Sequence, residues 1–223
     1  MAIIGLVGFI GSGKGTAGDI LKDLGFIPVS FAGLVKDVTA VMFDWPRHLL
    51  EGDTDESRLF RETPDAYWSS KQGYDFTPRE ALQKIGTECG RDVFHTDFWI
   101  LALEKKLDKN KNYVITDVRF PNEMDWITKT GGFVFEIQRG NNPVWYDKLT
   151  DTLFDRNKAE YMSTFNIHYS EWAWVGEEVD AIILNNGSVE DLKTNIVEVL
   201  TSYLGKSTMN ELLHNGEQDE IIH

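Results

Sequence analysis

Cysteine is almost missing from this chain of 223 residues, where Cys89 stands alone. A lone thiol excludes an intramolecular disulfide and any zinc site built on a cysteine cluster. Long hydrophobic runs are missing too: none approaches the roughly 20 residues that cross a bilayer. The stretch Met1–Val7 lacks the length and the basic start of a secretion signal. Positive charge is scarce, with 22 basic against 36 acidic residues and a net charge of −14. A surface this acidic repels nucleic-acid phosphates and anionic lipid, so neither polymeric nucleic acid nor membrane is an expected partner. Cytoplasm is the expected location. A small anion is held on such a molecule only by a local basic cluster, which makes the positions of the eight arginines informative.

What is present is ordinary for a globular protein: 42 % hydrophobic and 26 % charged residues, in a chain long enough to bury a sizeable core. No internal repeat or low-complexity block is visible. Short apolar runs alternate with helical patterns from end to end, the signature of an α/β fold whose parallel sheet carries helices on both faces. Strands are expected at Ala2–Val7, Phe26–Ser30 (an edge or a strand end, because of Pro28), Tyr113–Thr116, Phe133–Ile137 and Val179–Leu184. Helices are expected from about Lys14 to Leu24, from Leu34 to Phe43, and from Pro121 to the Gly131-Gly132 stop. Another is expected from Thr96 or Asp97 to about Lys106, and one from Ser188 to about Leu204. Thr77-Pro-Arg-Glu80 reads as a capping box with proline at the first helical position, opening a helix to about Gly90. Trp45–Phe76 shows no clean period and suits an insertion or flap on the acceptor side. The organisation that follows is one domain over residues 1–204 and a weakly ordered, acidic tail over 205–223.

The strongest local signal is Gly8-Phe-Ile-Gly11-Ser12-Gly13-Lys14-Gly15-Thr16. It lies between an expected strand and an expected helix. Glycines let the backbone approach phosphate oxygens without a Cβ clash, and the first N–H groups of the helix point at the anion. Lys14 supplies a charge to the β and γ phosphates. The hydroxyl that usually follows this lysine and holds Mg²⁺ comes one residue late, at Thr16, because Gly15 intervenes. The loop resembles that of adenylate kinase and related nucleoside monophosphate kinases, which implies Mg²⁺ held largely through water.

A phosphate acceptor needs a second anion site, and four segments offer one. Ser30–Asp37 follows the second strand at the carboxyl end of the sheet, where open α/β folds bind ligands; Gly33 would open its helix, and Lys36 lies one turn in, with an ordinary solvated lysine as the alternative. Arg58 and Arg61 lie in the aperiodic region, with Arg61 preferred. Arg79 sits in a first helical turn, against the helix dipole, a placement that a ligand anion would justify. Downstream of it, Trp99 suits either base stacking or core packing, and Arg91 is explained by the end of its helix. The fourth segment is Asp117-Val-Arg119-Phe-Pro-Asn-Glu123. Asp117 ends a hydrophobic strand and can order Mg²⁺-bound water; Arg119 can bind phosphate bidentately; Glu123 can accept from a sugar hydroxyl or a base amine. Charge neutralisation and positioning are what phosphoryl transfer requires, with no protein nucleophile.

Taken together, the phosphate loop, Phe31–Asp37, Arg79–Thr87, Phe98-Trp99, Asp117–Asp125, His168-Tyr-Ser-Glu171 and Asn185-Asn-Gly-Ser188 resemble the phage deoxynucleoside monophosphate kinases, which T-even-type phages use to make deoxynucleotide precursors. The resemblance covers most of the chain. It implies a three-layer P-loop NTPase fold and ATP-dependent, Mg²⁺-assisted phosphorylation of a deoxynucleoside monophosphate (dNMP), often by a homodimer. It implies Lys14, Arg79, Asp117 and Arg119 as catalytic residues. Gly11 to Thr16, Arg139 and Asn185 would hold ATP. Val35, Lys36, Arg61, Arg79, Gly86, Trp99, Asp117, Arg119 and Glu123 would line the acceptor pocket, and Thr16, with Asp117 through water, would meet Mg²⁺. Arg139 and Arg156 bracket a lid over about 139–170, and His168 is open between lid packing and a bond to substrate. The chain departs from the T-even pattern in a shorter middle region and in Gly15. Another small P-loop kinase (of the dephospho-coenzyme A, adenylate or shikimate type) and a non-catalytic nucleotide-binding regulator or mechanical ATPase are the alternatives.

Overall fold

The computed structural model describes residues 1–151, 157–165 and 167–219, with side chains to residue 205. Five parallel strands, β1 (Ile3–Val7), β2 (Ile27–Val29), β3 (Tyr113–Ile115), β4 (Phe133–Gln138) and β5 (Ala181–Leu184), form a sheet in the order β2-β3-β1-β4-β5. Central β1 is buried along its whole length, which is why its sequence is unbroken apolar. Side chains alternate across a strand. Ile4 and Leu6 therefore join a core with Ala17, Ile20 and Leu21 of the Lys14–Asp23 helix and with Leu192, Ile196 and Leu200 of the C-terminal helix. Gly5 points to the opposite face, under Ile127 of the Pro121–Lys129 helix. Both faces are covered, giving three layers. The chain passes to one side of β1 for β2 and β3 and to the other for β4 and β5. The carboxyl end of β1 is thus a topological switch point, where this class of fold binds ligands. The C-terminal helix spans Val189–Asp219 and is broken at Gly205, so helical backbone continues through much of the stretch expected as a tail.

The chain divides into two compact units, Met1–Val29 with Asp108–His223, and Ser30–Leu107. The sheet belongs to the first. The second is helical, and the region without a sequence period lies inside it. Its helices Asp55–Glu62 and Ala66–Gln72 have eight and seven residues, too few turns for an apolar stripe to repeat. They surround a small core of Trp45, Leu50, Phe76 and Ala81, with the Phe43 and Trp45 rings stacked at 4.6 Å. The Phe31–Phe43 helix begins earlier than expected because Ser30 caps it, accepting the Gly33 N–H at 2.9 Å; Gly33 is inside the first turn. Thr77 caps its helix as expected, accepting the Glu80 N–H at 3.2 Å. Glu80, however, accepts from the Tyr74 hydroxyl at 2.7 Å and pairs with Lys84 at 2.8 Å. The helix expected to run to Gly90 is α-helical only over Pro78–Lys84 and continues as a π-helix over Ile85–Phe94. A Cβ at Gly90 would lie 2.5 Å from the Trp99 indole, so only glycine admits that ring.

No described helix is long and apolar enough to cross a membrane. One residue violates the apolar rule of a central strand: Glu136 in β4 is 3 % exposed and sits between Val7 and Ile182 in register. Burial raises its pKa, and no counter-charge among the described residues offsets the effect. The folded state therefore holds this proton more tightly than the unfolded chain. Glu136 contributes stability below the ordinary carboxylate range, and that contribution is lost as pH rises through the raised pKa. Glu136→Gln should accordingly be more stable than the parent at pH 7 and should flatten the fall between acidic and neutral pH, as read from urea midpoints at pH 5 and 7.

Candidate active site

The turn after β1 and the helix it enters form the phosphate loop. Gly13, at φ 99°, is the N-cap residue of the Lys14–Asp23 helix, gives no side-chain cap, and no acidic residue stands in the first turn. The first N–H groups and the positive end of the helix dipole are thereby left for a ligand anion. The loop is held from behind by Asn185 at the end of β5. Its amide donates to the Ser12 carbonyl at 2.8 Å, and its backbone N–H donates to the Gln138 carbonyl at 2.8 Å. A Cβ on Gly13 would lie 2.2 Å from that amide, so the glycine serves close approach as well as positive φ. Asn185, expected beside ATP, is 9 % exposed and braces the loop. Ser12 is 4 % exposed, and its hydroxyl has no hydrogen-bond partner among the described residues. Gly11, Gly15 and Thr16 are exposed.

The Lys14 ammonium donates to the carbonyls of Gly8 at 2.7 Å and Phe9 at 3.0 Å. Its pKa falls to about 8, first because burial disfavours the charged form and then because Arg119 repels it; Glu171 acts in the opposite sense. Arg119 lies in the loop after β3, and its guanidinium donates to the Glu171 carboxylate. Lys14, Arg119 and Glu171 therefore form one electrostatic cluster beside the phosphate loop. Glu171 was not among the expected site residues. Its sequence signal is an acidic residue in the aromatic-rich run from Tyr169 to Trp174. His168 caps the 3₁₀ turn Tyr169–Glu171, its Nδ1 lying 2.9 Å from the Ser170 hydroxyl, and Phe120 meets the Tyr169 ring at 5.8 Å.

Glu123 has a structural task in this loop. It is 2 % exposed, and its carboxylate accepts the backbone N–H groups of Arg119 at 2.8 Å and Phe120 at 3.1 Å. That carboxylate shapes the loop carrying Arg119. Asp117 is half-buried, at the start of the same loop, and Arg139 is exposed at the end of β4. Arg156 lies outside the described residues. The region expected as a lid is partly seated on the phosphate loop: Phe9 meets Trp145 at 5.5 Å and Tyr146 at 5.9 Å edge-on, and Trp174, just beyond that region, at 5.0 Å.

In the second unit the expected acceptor-side cations are each engaged by oxygen. Lys36 donates to Glu51 at 2.5 Å. Arg47, absent from the sequence expectation, bridges Glu51 and Asp37, the latter at 2.6 Å. Burial raises the Glu51 pKa, but the hydrogen bonds and charges of Lys36 and Arg47 outweigh it and the net shift is downward. Arg61 donates to the Glu51 carbonyl at 3.3 Å, while Arg58 pairs with exposed Asp55 at 2.7 Å. Arg79 pairs with Glu62 across the surface, a counter-ion that already explains a cation in a first helical turn. Trp99 is core: it is 4 % exposed, packs with Val35 and Ile85, and donates its indole N–H to the Gly86 carbonyl at 2.7 Å. Val35, 8 % exposed, is core as well. Neither offers a free face for a base to stack on.

Residues 51–196 match the family model described as deoxynucleotide monophosphate kinase. The chain is 36 % identical over 154 residues to a putative deoxynucleotide monophosphate kinase of Acanthamoeba polyphaga mimivirus, covering 62 % of this chain and 75 % of that protein. A deoxynucleoside-5'-monophosphate kinase of Escherichia phage T5 is 45 % identical over 56 residues, 24 % of this chain and 22 % of its own. Among solved structures, a dephospho-CoA kinase from Campylobacter jejuni aligns over 90 % of this chain and 96 % of its own at 20 % identity, with a TM-score of 0.39.

Proposed function

The chain belongs to the deoxynucleotide monophosphate kinase family, and on that premise we propose that it transfers the γ-phosphate of ATP to a deoxynucleoside monophosphate, giving ADP and the deoxynucleoside diphosphate. The observation that carries this reading is the coupling of Lys14 and Arg119, two cations set beside an uncapped helix N-terminus in a molecule of net charge −14. Glu171 offsets only part of the repulsion between them, and a polyphosphate relieves the rest. The backbone of Gly11 to Thr16 cradles the donor phosphates. Lys14 and Arg119 neutralise the charge that spreads over the transferring group. An oxygen of the acceptor phosphate attacks the γ-phosphorus, the bond to the β–γ bridging oxygen breaks, and ADP leaves with that electron pair. The acceptor is mostly dianionic at pH 7, because a phosphate monoester's second pKa is about 6; no general base is needed.

Among the described residues no group of three His, Cys, Asp or Glu side chains is placed to hold a metal ion. Hydroxyl and carboxylate oxygens suit Mg²⁺, which keeps several waters and binds largely through substrate phosphates; the Thr16 hydroxyl and, through water, Asp117 would be the protein's share. Bound there, the ion would offset charge on the phosphoryl oxygens. Lys36, Arg61 and Arg79 are assigned to the acceptor phosphate by exchange of their present oxygen partners, with Arg139 on the donor side. The same reading takes the protein as a cytoplasmic homodimer, which sedimentation velocity checks for its oligomeric part.

The test is an ADP-release assay with ATP and a panel of all common dNMPs and NMPs, dephospho-coenzyme A and shikimate. Turnover that requires a dNMP is expected. Turnover with dephospho-coenzyme A or shikimate in place of any dNMP, or equal ADP release with no acceptor, would sink the reading.

A further inference from the structure

Glu171 has no part in the chemistry as written above, yet it is the ion-pair partner of Arg119. The two residues are 52 positions apart, so the pair exists only because the fold brings the turn at 169–171 onto the loop after β3. Both sides of the contact are braced. On the Arg119 side, Glu123 fixes the backbone of Arg119 and Phe120 by two hydrogen bonds. On the Glu171 side, His168 caps the 3₁₀ turn and accepts the Ser170 N–H at 3.3 Å, and the Tyr169 ring contacts both Phe120 and Trp172, the latter at 4.8 Å. The backbone that carries each side chain is thus fixed on both sides of the ion pair. The Arg119 side chain remains 41 % exposed and that of Glu171 28 % exposed. Guanidinium presents several N–H donors in a planar fork, so one Nη engaged by Glu171 leaves other donors for a phosphate oxygen.

We infer that Glu171 is a positioning residue for phosphoryl transfer: its carboxylate holds one edge of the Arg119 guanidinium, so that the opposite edge is set toward the transferring phosphate. The inference rests on the donor-site reading above, and it concerns a residue that reading did not use. Fixing the fork in advance removes the rotamer cost of ordering a long side chain in the transition state. It also keeps two neighbouring cations, Lys14 and Arg119, tolerable in each other's presence before the anion arrives. A different role for the same pair is that of a placeholder, in which Glu171 occupies the phosphate position and must be displaced. The two roles predict opposite signs: removing an anchor slows transfer, whereas removing a competitor tightens ATP or dNMP binding.

The experiment is a double-mutant cycle with Glu171→Gln, Arg119→Ala and the pair, using kcat and KM for ATP and for the best dNMP. Thermal midpoints and the fraction of active sites from single-turnover amplitudes are measured on each variant. For an anchor, Glu171→Gln lowers kcat roughly 10- to 100-fold with KM changed less than about 3-fold, the pattern of an interaction made in the transition state. In the Arg119→Ala background the same change should cost less than about 2-fold, because the side chain it orients is gone. Glu171→Asp should recover part of the lost kcat. An equal cost in both backgrounds would reduce Glu171 to a structural residue and overturn the inference; so would a lower KM or Kd in Glu171→Gln, which marks a competitor. If wild-type protein transfers no phosphate to any dNMP, the donor-site reading itself falls; if it does transfer phosphate and the cycle is additive, only the anchor falls.

Discussion

Lys14→Ala should abolish phosphoryl transfer, lowering kcat by about 10³-fold or more, on the order of 4 kcal/mol of transition-state stabilisation, while the fold survives. The expectation of survival comes from the surroundings of the side chain. Among the described residues Lys14 bonds to the carbonyls of its own loop, at Gly8 and Phe9, and the loop is independently held by Asn185. Burial of the ammonium costs stability in the free protein, as its lowered pKa of about 8 records, so alanine removes a liability together with the charge. The function is lost because nothing else in the loop carries a positive charge. The wild-type enzyme should also lose kcat/KM as pH rises past about 8, since the proposed mechanism needs Lys14 protonated and its folded pKa lies there. A wild-type profile flat to pH 10, or a Lys14→Ala enzyme within tenfold of the parent, would remove this residue from the mechanism. Circular dichroism and a thermal midpoint on the variant separate loss of chemistry from loss of fold.

Arg119→Ala should cost about 2–5 kcal/mol in kcat/KM by comparison with truncated charge pairs, or about 30- to 5,000-fold. The effect has two parts. The donor to the transferring phosphate is lost, and the Glu171 carboxylate is left beside the phosphate loop with its partner gone. An unneutralised carboxylate there repels the substrate, so alanine should be worse than Arg119→Lys, which keeps the charge and loses only the bidentate fork. Steady-state kinetics of the two variants against the parent test the ordering. A loss below tenfold for alanine, or equal losses for alanine and lysine, would mean that Arg119 does not act as a charged fork on the substrate.

The parts of this molecule that were readable from sequence are those set by local rules. An unbroken apolar run followed by Gly8–Thr16 and a helical pattern announces strand, phosphate loop and helix, and β1 and the Lys14–Asp23 helix are where that pattern puts them. Thr77 and Pro78 mark a helix start because capping depends on residues three positions apart. What stayed hidden depends on contacts distant in sequence. The Arg119–Glu171 pair spans 52 residues, and the aromatic-rich run around Glu171 does not reveal which cation it meets. Glu62 and Glu51 likewise supply counter-ions for Arg79 and Lys36 that no spacing rule reveals. Trp99 carried two readings, and its neighbours decided between them: a buried indole bonded to Gly86 and pressed on Gly90 is committed to the core. The π-helical winding of Ile85–Phe94 and the short helices between Trp45 and Phe76 escaped for the opposite reason, because their periods are too brief or too unusual to register.

The fate of the terminal phosphate is the most direct test. Wild-type protein incubated with γ-labelled ATP and the preferred dNMP should move the label into the β position of the deoxynucleoside diphosphate, one label for each ADP formed, with little free phosphate. Label released as inorganic phosphate at the same rate with and without the dNMP would contradict the account, since the loop would then be serving hydrolysis or simple nucleotide binding.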